Sequence, residues 1–111
     1  MLSTEAQELS ELLKANSLTI SVAESCTGGS LSHTITRIPG ASSYFDCGYI
    51  TYSNQSKVDM LGVDAQTIKT YGAVSQEVAL EMVIGVSNRS HSDVALSITA
   101  VSYTHLTLPT T

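Results

Sequence analysis

Three side chains of this 111-residue sequence have the type and setting for nucleophilic chemistry: Ser25, Cys26 and Lys57. Ser25 lies in Glu24-Ser25-Cys26-Thr27-Gly28-Gly29, a turn between an alternating apolar stretch and a helix-periodic one. Gly28 and Gly29 let the backbone approach a ligand closely, and the helix that follows offers N–H groups and a partial positive charge. That environment suits a phosphate or a developing oxyanion. The loop is neither a Walker loop nor GxGxxG, so the glycine pair alone reads more often as an ordinary capped turn.

A serine hydroxyl becomes a nucleophile when a base sits within hydrogen-bond reach. His33 falls inside a helix pattern, His91 near a loop and His105 in the C-terminal tail, and none makes a triad with a carboxylate. A lysine held neutral by burial is the alternative base. Lys57 closes Tyr52-Ser53-Asn54-Gln55-Ser56-Lys57, at the carboxyl end of a second strand pattern. If the two strands are neighbours, this segment lies beside Ser25 at one sheet edge, although a lone lysine is more often a solvated surface residue. Cys26 has no clear histidine partner, and a lone cysteine is more often a small buried residue. Two cysteines and three histidines without ligand spacing give no metal site, and Asp46, Asp59 and Asp64 form no paired-carboxylate arrangement.

The elements that must position these groups alternate between helix and strand. Thr4 is placed to cap a first helix, with Gln7 completing a capping box and Leu9, Leu12 and Leu13 as its apolar stripe. Leu18, Ile20 and Val22 alternate with Thr19, Ser21 and Ala23 as a first strand. A second helix carries Leu31, Thr34, Ile35 and Ile38 and ends at Pro39-Gly40, and a second strand covers roughly Cys47 to Tyr52. Ser53 caps a short helix that Gly62 stops, and Asp64 to Tyr71 makes another, ended by Gly72. Ser75 caps a longer helix with Ala79, Met82, Val83 and Val86 on one face, and Val94, Leu96 and Ile98 alternate as a third strand. The order predicts an α/β fold, a three-layer α/β/α domain with a mostly parallel sheet.

Composition bounds the function. The chain carries 5 Lys+Arg against 10 Asp+Glu, a formal charge of −5, with 42% hydrophobic residues. One domain with a small core fits that length. Five scattered cations (Lys14, Arg37, Lys57, Lys69 and Arg89) do not neutralise a run of phosphates, so no nucleic-acid partner is expected. No apolar stretch approaches a bilayer span, and the N-terminus lacks the pattern of a secretion signal. A cytoplasmic protein with two reduced thiols and no membrane partner is the expectation.

The tail departs from the pattern. Val101 to Thr111 carries no charge and no helical period, which reads as a disordered tail or a last edge strand. It also resembles something that is not protein sequence: one translation of a transposon-based sequencing adapter matches Ala100 to Thr110 residue for residue. The expectation is a partial domain over residues 1–99 and a non-native tail over 100–111.

Ala23-Glu24-Ser25-Cys26-Thr27-Gly28-Gly29, then Gly48-Tyr49-Ile50-Thr51-Tyr52-Ser53-Asn54 with Lys57, then Gly72-Ala73-Val74-Ser75, resemble the CinA C-terminal domain family. This is the nicotinamide mononucleotide (NMN) amidohydrolase (PncC) family, also called competence/damage-inducible. The match runs in order through nearly all of residues 5–99. It implies hydrolysis of the amide of NMN to nicotinic acid mononucleotide and ammonia, in pyridine-nucleotide salvage, with no cofactor. By position, Ser25 resembles the nucleophile, and Tyr52 and Lys57 the groups that activate it and shuttle its proton. Thr27, Gly28, Gly29 and Asn54 fall where the family binds substrate. The family continues after the third strand with Gly-Ile-Ala-Gly-Pro, a Lys-Pro-Val-Gly-Thr strand and a final helix, none of which follows Thr99 here, so the sheet is expected to be incomplete at the C-terminus. A homo-oligomer is expected of the complete domain, and the start at Met1 suits a stand-alone form. The competing readings are a non-catalytic nucleotide-binding or competence-related interaction domain and a Cys26 thiol enzyme.

Overall fold

Branched apolar residues in β1 (Ile20–Glu24) and β3 (Val94–Ala100), and aromatic ones with Ile50 in β2 (Phe45–Ile50), form three strands, joined by a fourth, β4 (Tyr103–Thr107). The computed structural model describes residues 3–100 and 103–107. The sheet order is β2-β1-β3-β4. β1 pairs in parallel with both β2 and β3, and β3 pairs antiparallel with β4. The fold is α/β with a mixed sheet, parallel over its first three strands as the alternating pattern predicts.

Side chains alternate across the sheet and feed two cores. Ile20, Val22, Val94 and Leu96 pack against α1 (Ser3–Ala15) and α2 (Ser30–Thr36) through Leu13, Leu31 and Ile35. Ala23 and Ala95 face the other way, against Leu61 of α3 (Asn54–Leu61) and Val78, Met82, Val83 and Val86 of α5 (Gln76–Arg89). A short α4 (Ala65–Tyr71) joins those two helices and adds Ile68 to this core. Three layers result.

The capping residues act as their types dictate. Ser53, Asp64 and Ser75 accept from the backbone N–H of Ser56, Gln66 and Val78, which starts α3, α4 and α5. Gly62 ends α3 in the left-handed conformation.

Other boundaries move. α1 begins at Ser3, so Thr4 lies inside its first turn and does not cap it, and position 2 falls outside the described residues. Leu12 is exposed; the buried face of α1 is Ala6, Ser10 and Leu13, with Leu9 half-buried. That spacing is the true helical stripe, and Leu12 lies a position off it. β1 starts two residues later than the alternation suggests, and β2 spans Phe45–Ile50 where Cys47 to Tyr52 was expected. The cause lies in the pairing: Ile20 N–H donates to the Tyr44 carbonyl at 2.7 Å, and an irregularity in the register lets Ile20 face Phe45 while Val22 faces Gly48. Of the tail, residues 103–107 form the edge strand β4; positions 101, 102 and 108–111 lie outside the described residues. Among the described residues, no helix is long and apolar enough to cross a membrane.

Candidate active site

The chain leaves β1 through α2 on one face of the sheet and leaves β2 through α3 on the other. Two adjacent parallel strands whose following loops diverge open a crevice at their carboxyl ends, where ligands of open α/β sheets bind. Ser25 and Lys57 both lie at this edge.

Ser25 follows the last residue of β1 and is 7% exposed. The Ser25 N–H donates to the Ile98 carbonyl at 3.1 Å, which extends the β1–β3 ladder and fixes the residue. Its carbonyl accepts from Gly28 N–H at 3.0 Å, closing the turn. Gly29 then holds φ 111°, a conformation that L side chains rarely adopt. Thr27 is half-buried, and Gly28 is exposed.

Glu24 explains why the turn has this shape. Its carboxylate is fully buried and accepts from the N–H groups of Gly29 at 3.1 Å, Leu31 at 2.9 Å and Ser32 at 2.7 Å, and from the Ser32 hydroxyl. Burial pushes the carboxyl up, but the bonds from Ser32 and Leu31 outweigh it and hold the group below its ordinary value. The expectation of free N–H groups at the start of α2 is therefore corrected. The protein's own carboxylate occupies that helix end, and the partial positive charge there serves Glu24. Sequence reasoning missed Glu24; a carboxylate just ahead of a glycine turn and a helix start was the available signal.

Lys57 is the unusual group. It sits in the middle of α3, is 1% exposed, and donates from Nζ to the Tyr52 carbonyl at 3.1 Å. Burial pushes its amine below the ordinary lysine value, an effect partly opposed by the nearby Cys26 sulfur. The Cys26 thiol is exposed. Tyr52 contributes its carbonyl to Lys57, while its side chain is 71% exposed. Asn54, the first residue of α3, is exposed beside it.

The third motif also reaches this edge. The Thr99 hydroxyl of β3 donates to the Ala73 carbonyl at 3.0 Å, and the Ser97 hydroxyl to the Ala79 carbonyl at 2.6 Å. These bonds pin the start of α5, and with it Gly72-Ala73-Val74-Ser75, against the sheet. Thr51, the residue after β2, is fully buried, and its hydroxyl has no partner among the described residues. Its β-branched side chain suits a strand, so nothing in the sequence set it apart. His33 and His91 are exposed on α2 and ahead of β3, and His105 stands on β4. Among the described residues, no group of three His, Cys, Asp or Glu is placed to hold a metal ion.

Known proteins resemble this chain in sequence and fold. A family model described as the CinA C-terminal domain matches residues 2–104. A CinA-like protein of Chlorobium limicola is 50% identical over 99 residues, which are 89% of this chain and 23% of that protein. The nicotinamide-nucleotide amidohydrolase PncC of Enterobacter agglomerans is 44% identical over 95 residues, 86% of this chain and 58% of that one. The crystal structure of a competence/damage inducible protein from Agrobacterium tumefaciens superposes with a TM-score of 0.85 at 39% identity, covering 90% of this chain and 61% of that chain. The chain thus spans about a quarter of the CinA-like protein and less than two thirds of the other two.

Proposed function

The chain belongs to the family of CinA C-terminal domains, and from that premise we propose that it is built to hydrolyse the amide of nicotinamide mononucleotide with Ser25 as nucleophile. The observation that carries this reading is a buried lysine amine, held below its ordinary pKa, at the sheet edge that carries Ser25. The relative named as a nicotinamide-nucleotide amidohydrolase supports the substrate.

The chemistry needs a nucleophile, a base and oxyanion donors. The neutral Lys57 amine takes the Ser25 proton, through the Tyr52 phenol, as Oγ attacks the amide carbon. The tetrahedral intermediate collapses with that proton delivered to the leaving nitrogen, releasing ammonia and leaving an ester on Ser25. Water, deprotonated by the same lysine, attacks the ester and frees the acid and the serine. Thr27, Gly28, Gly29 and Asn54 border the same crevice and line the substrate. The protein acts in the cytoplasm as a homo-oligomer, with no cofactor and no nucleic-acid or membrane partner. Residues 100–111 are a non-native tail on a domain whose genuine reading ends at Thr99.

The test is ammonia release from NMN. Ser25→Ala should lose at least about a thousandfold in kcat/KM, and Lys57→Ala about 10²–10⁴-fold. Wild-type turnover in Ser25→Ala removes the nucleophile assignment. NMN binding without ammonia release in the wild type favours a nucleotide-binding or competence-related module, which the competence name of the Agrobacterium relative recommends as the second reading. Inactivation by thiol alkylation that Cys26→Ser escapes points to the thiol as its cause.

A further inference from the structure

Thr51 carries a hydroxyl that no other described residue pairs. Three buried side-chain oxygens lack a hydrogen-bond partner among the described residues, those of Thr27, Thr51 and Ser90. Thr27 and Ser90 belong to half-buried residues, and the Thr27 hydroxyl lies beside the Glu24 carboxylate, whereas Thr51 is 0% exposed. An unsatisfied buried hydroxyl costs folding free energy, and such a group in a native fold calls for a reason.

Its position supplies one. Glu24 of β1 pairs with Ile50 of β2, and the Thr51 N–H donates to the Glu24 carbonyl at 2.8 Å. The next residues on these two strands are Ser25 and Thr51. Side chains alternate along strands, so Ser25 shares a face with Ala23, and Thr51 with Tyr49. Ala23 and Tyr49 both pack into the core under α3 and α5. Ser25 and Thr51, each the first residue past its strand, therefore leave neighbouring strands set about 5 Å apart toward the face from which α3 supplies Lys57.

We infer that Thr51 is a further substrate-contacting residue of this site, its hydroxyl satisfied by the carboxamide that Ser25 attacks. A carboxamide offers a carbonyl acceptor and N–H donors, and a hydroxyl pairs with either. Binding supplies the hydrogen bond that the described residues do not. The inference rests on the assignment of Ser25 as nucleophile.

Valine replaces threonine with nearly the same shape and no hydroxyl, which separates contact from packing. Thr51→Val, Thr51→Ser and Ser25→Ala are compared with the wild type by ammonia release from NMN and by thermal unfolding. Thr51→Val should lose about ten- to a hundredfold in kcat/KM, mostly in kcat, with a Tm equal to or above that of the wild type. Thr51→Ser should recover most of the activity. Wild-type kcat/KM in Thr51→Val overturns the inference while leaving Ser25 in place, and so does a loss of activity that follows a lowered Tm in both Thr51 variants. Turnover in Ser25→Ala, or none in the wild type, overturns the amidase reading and this inference with it.

Discussion

Lys57, the base of the proposed reaction, is set apart from other lysines by its burial. An amine with little access to water is harder to protonate, so the neutral form persists to lower pH than in a solvated lysine, whose ordinary value is 10.5. The activity of the free enzyme should therefore rise with pH through a single limb whose midpoint lies below 10.5. The sign for stability follows the same way. Between the depressed folded value and the ordinary one, the unfolded chain binds more protons, so Lys57 makes the fold gain stability as pH rises through that window. A kcat/KM profile against pH, with Lys57→Arg alongside, checks the assignment; a limb that survives in the arginine variant assigns the base elsewhere. Ser25 was legible in the sequence because a serine at a strand end before two glycines is a recognisable setting. The burial of Lys57 was not, since lysine type alone points to solvent. Glu24 escaped for a related reason: its role depends on three backbone N–H groups that converge on it only once β1 and α2 are folded.

At the scale of elements, short-range chemistry was readable and approach distances were not. Ser53, Asp64, Ser75 and Gly62 end their helices through contacts within a few residues, so the local sequence contains them. Which glycine admits a neighbouring element is decided by residues far away. Gly85 is in the middle of α5, where alanine would ordinarily stabilise the helix by about 1 kcal/mol. Here a methyl group would meet the Leu61 carbonyl and Cβ of α3, so the two helices cross only because Gly85 has no side chain. Gly48 does the same for α2, since a Cβ there would lie 2.7 Å from the Ser32 hydroxyl that holds Glu24. Gly85→Ala should reverse the usual sign and destabilise by about 1–3 kcal/mol through overpacking. Chemical denaturation checks it, and an unchanged or raised midpoint would mean that α3 shifts at no cost. Because α3 carries Lys57, the variant should also lose amidase activity out of proportion to the fraction unfolded.

For the whole molecule, the alternation of elements led to the three layers and the parallel pairing, and it did so because each strand needs helices on both faces to bury Ile20, Val22, Ala23 and their neighbours. The C-terminal side was the hardest part to read, and it is also the least covered part of the fold. β3 is flanked there by β4 alone, whose Leu106 is exposed, and a cleft of about 310 Å³ opens between Leu31 of α2 and Leu96, Ile98 and Thr104. In a sheet of this kind, further strand and helix normally close such an edge and face. If residues 100–111 are not native, the coding DNA read from unfragmented template should continue past codon 99 into a glycine-rich segment and a further strand. The longer product should then cover the half-buried Ile98 and close the cleft beside it, and unfold at a higher temperature than the 111-residue chain. Each further apolar side chain that the added segment fully buries contributes about 1.5–3 kcal/mol before the entropy of ordering that segment is subtracted. The expected result is a Tm higher by at least several degrees, together with less binding of a hydrophobic dye. Equal Tm values would show that β4 closes the sheet as well as any native segment does. DNA that encodes Val101 to Thr111 and then stops would make β4 a genuine edge strand, and the cleft beside it a feature of the finished protein.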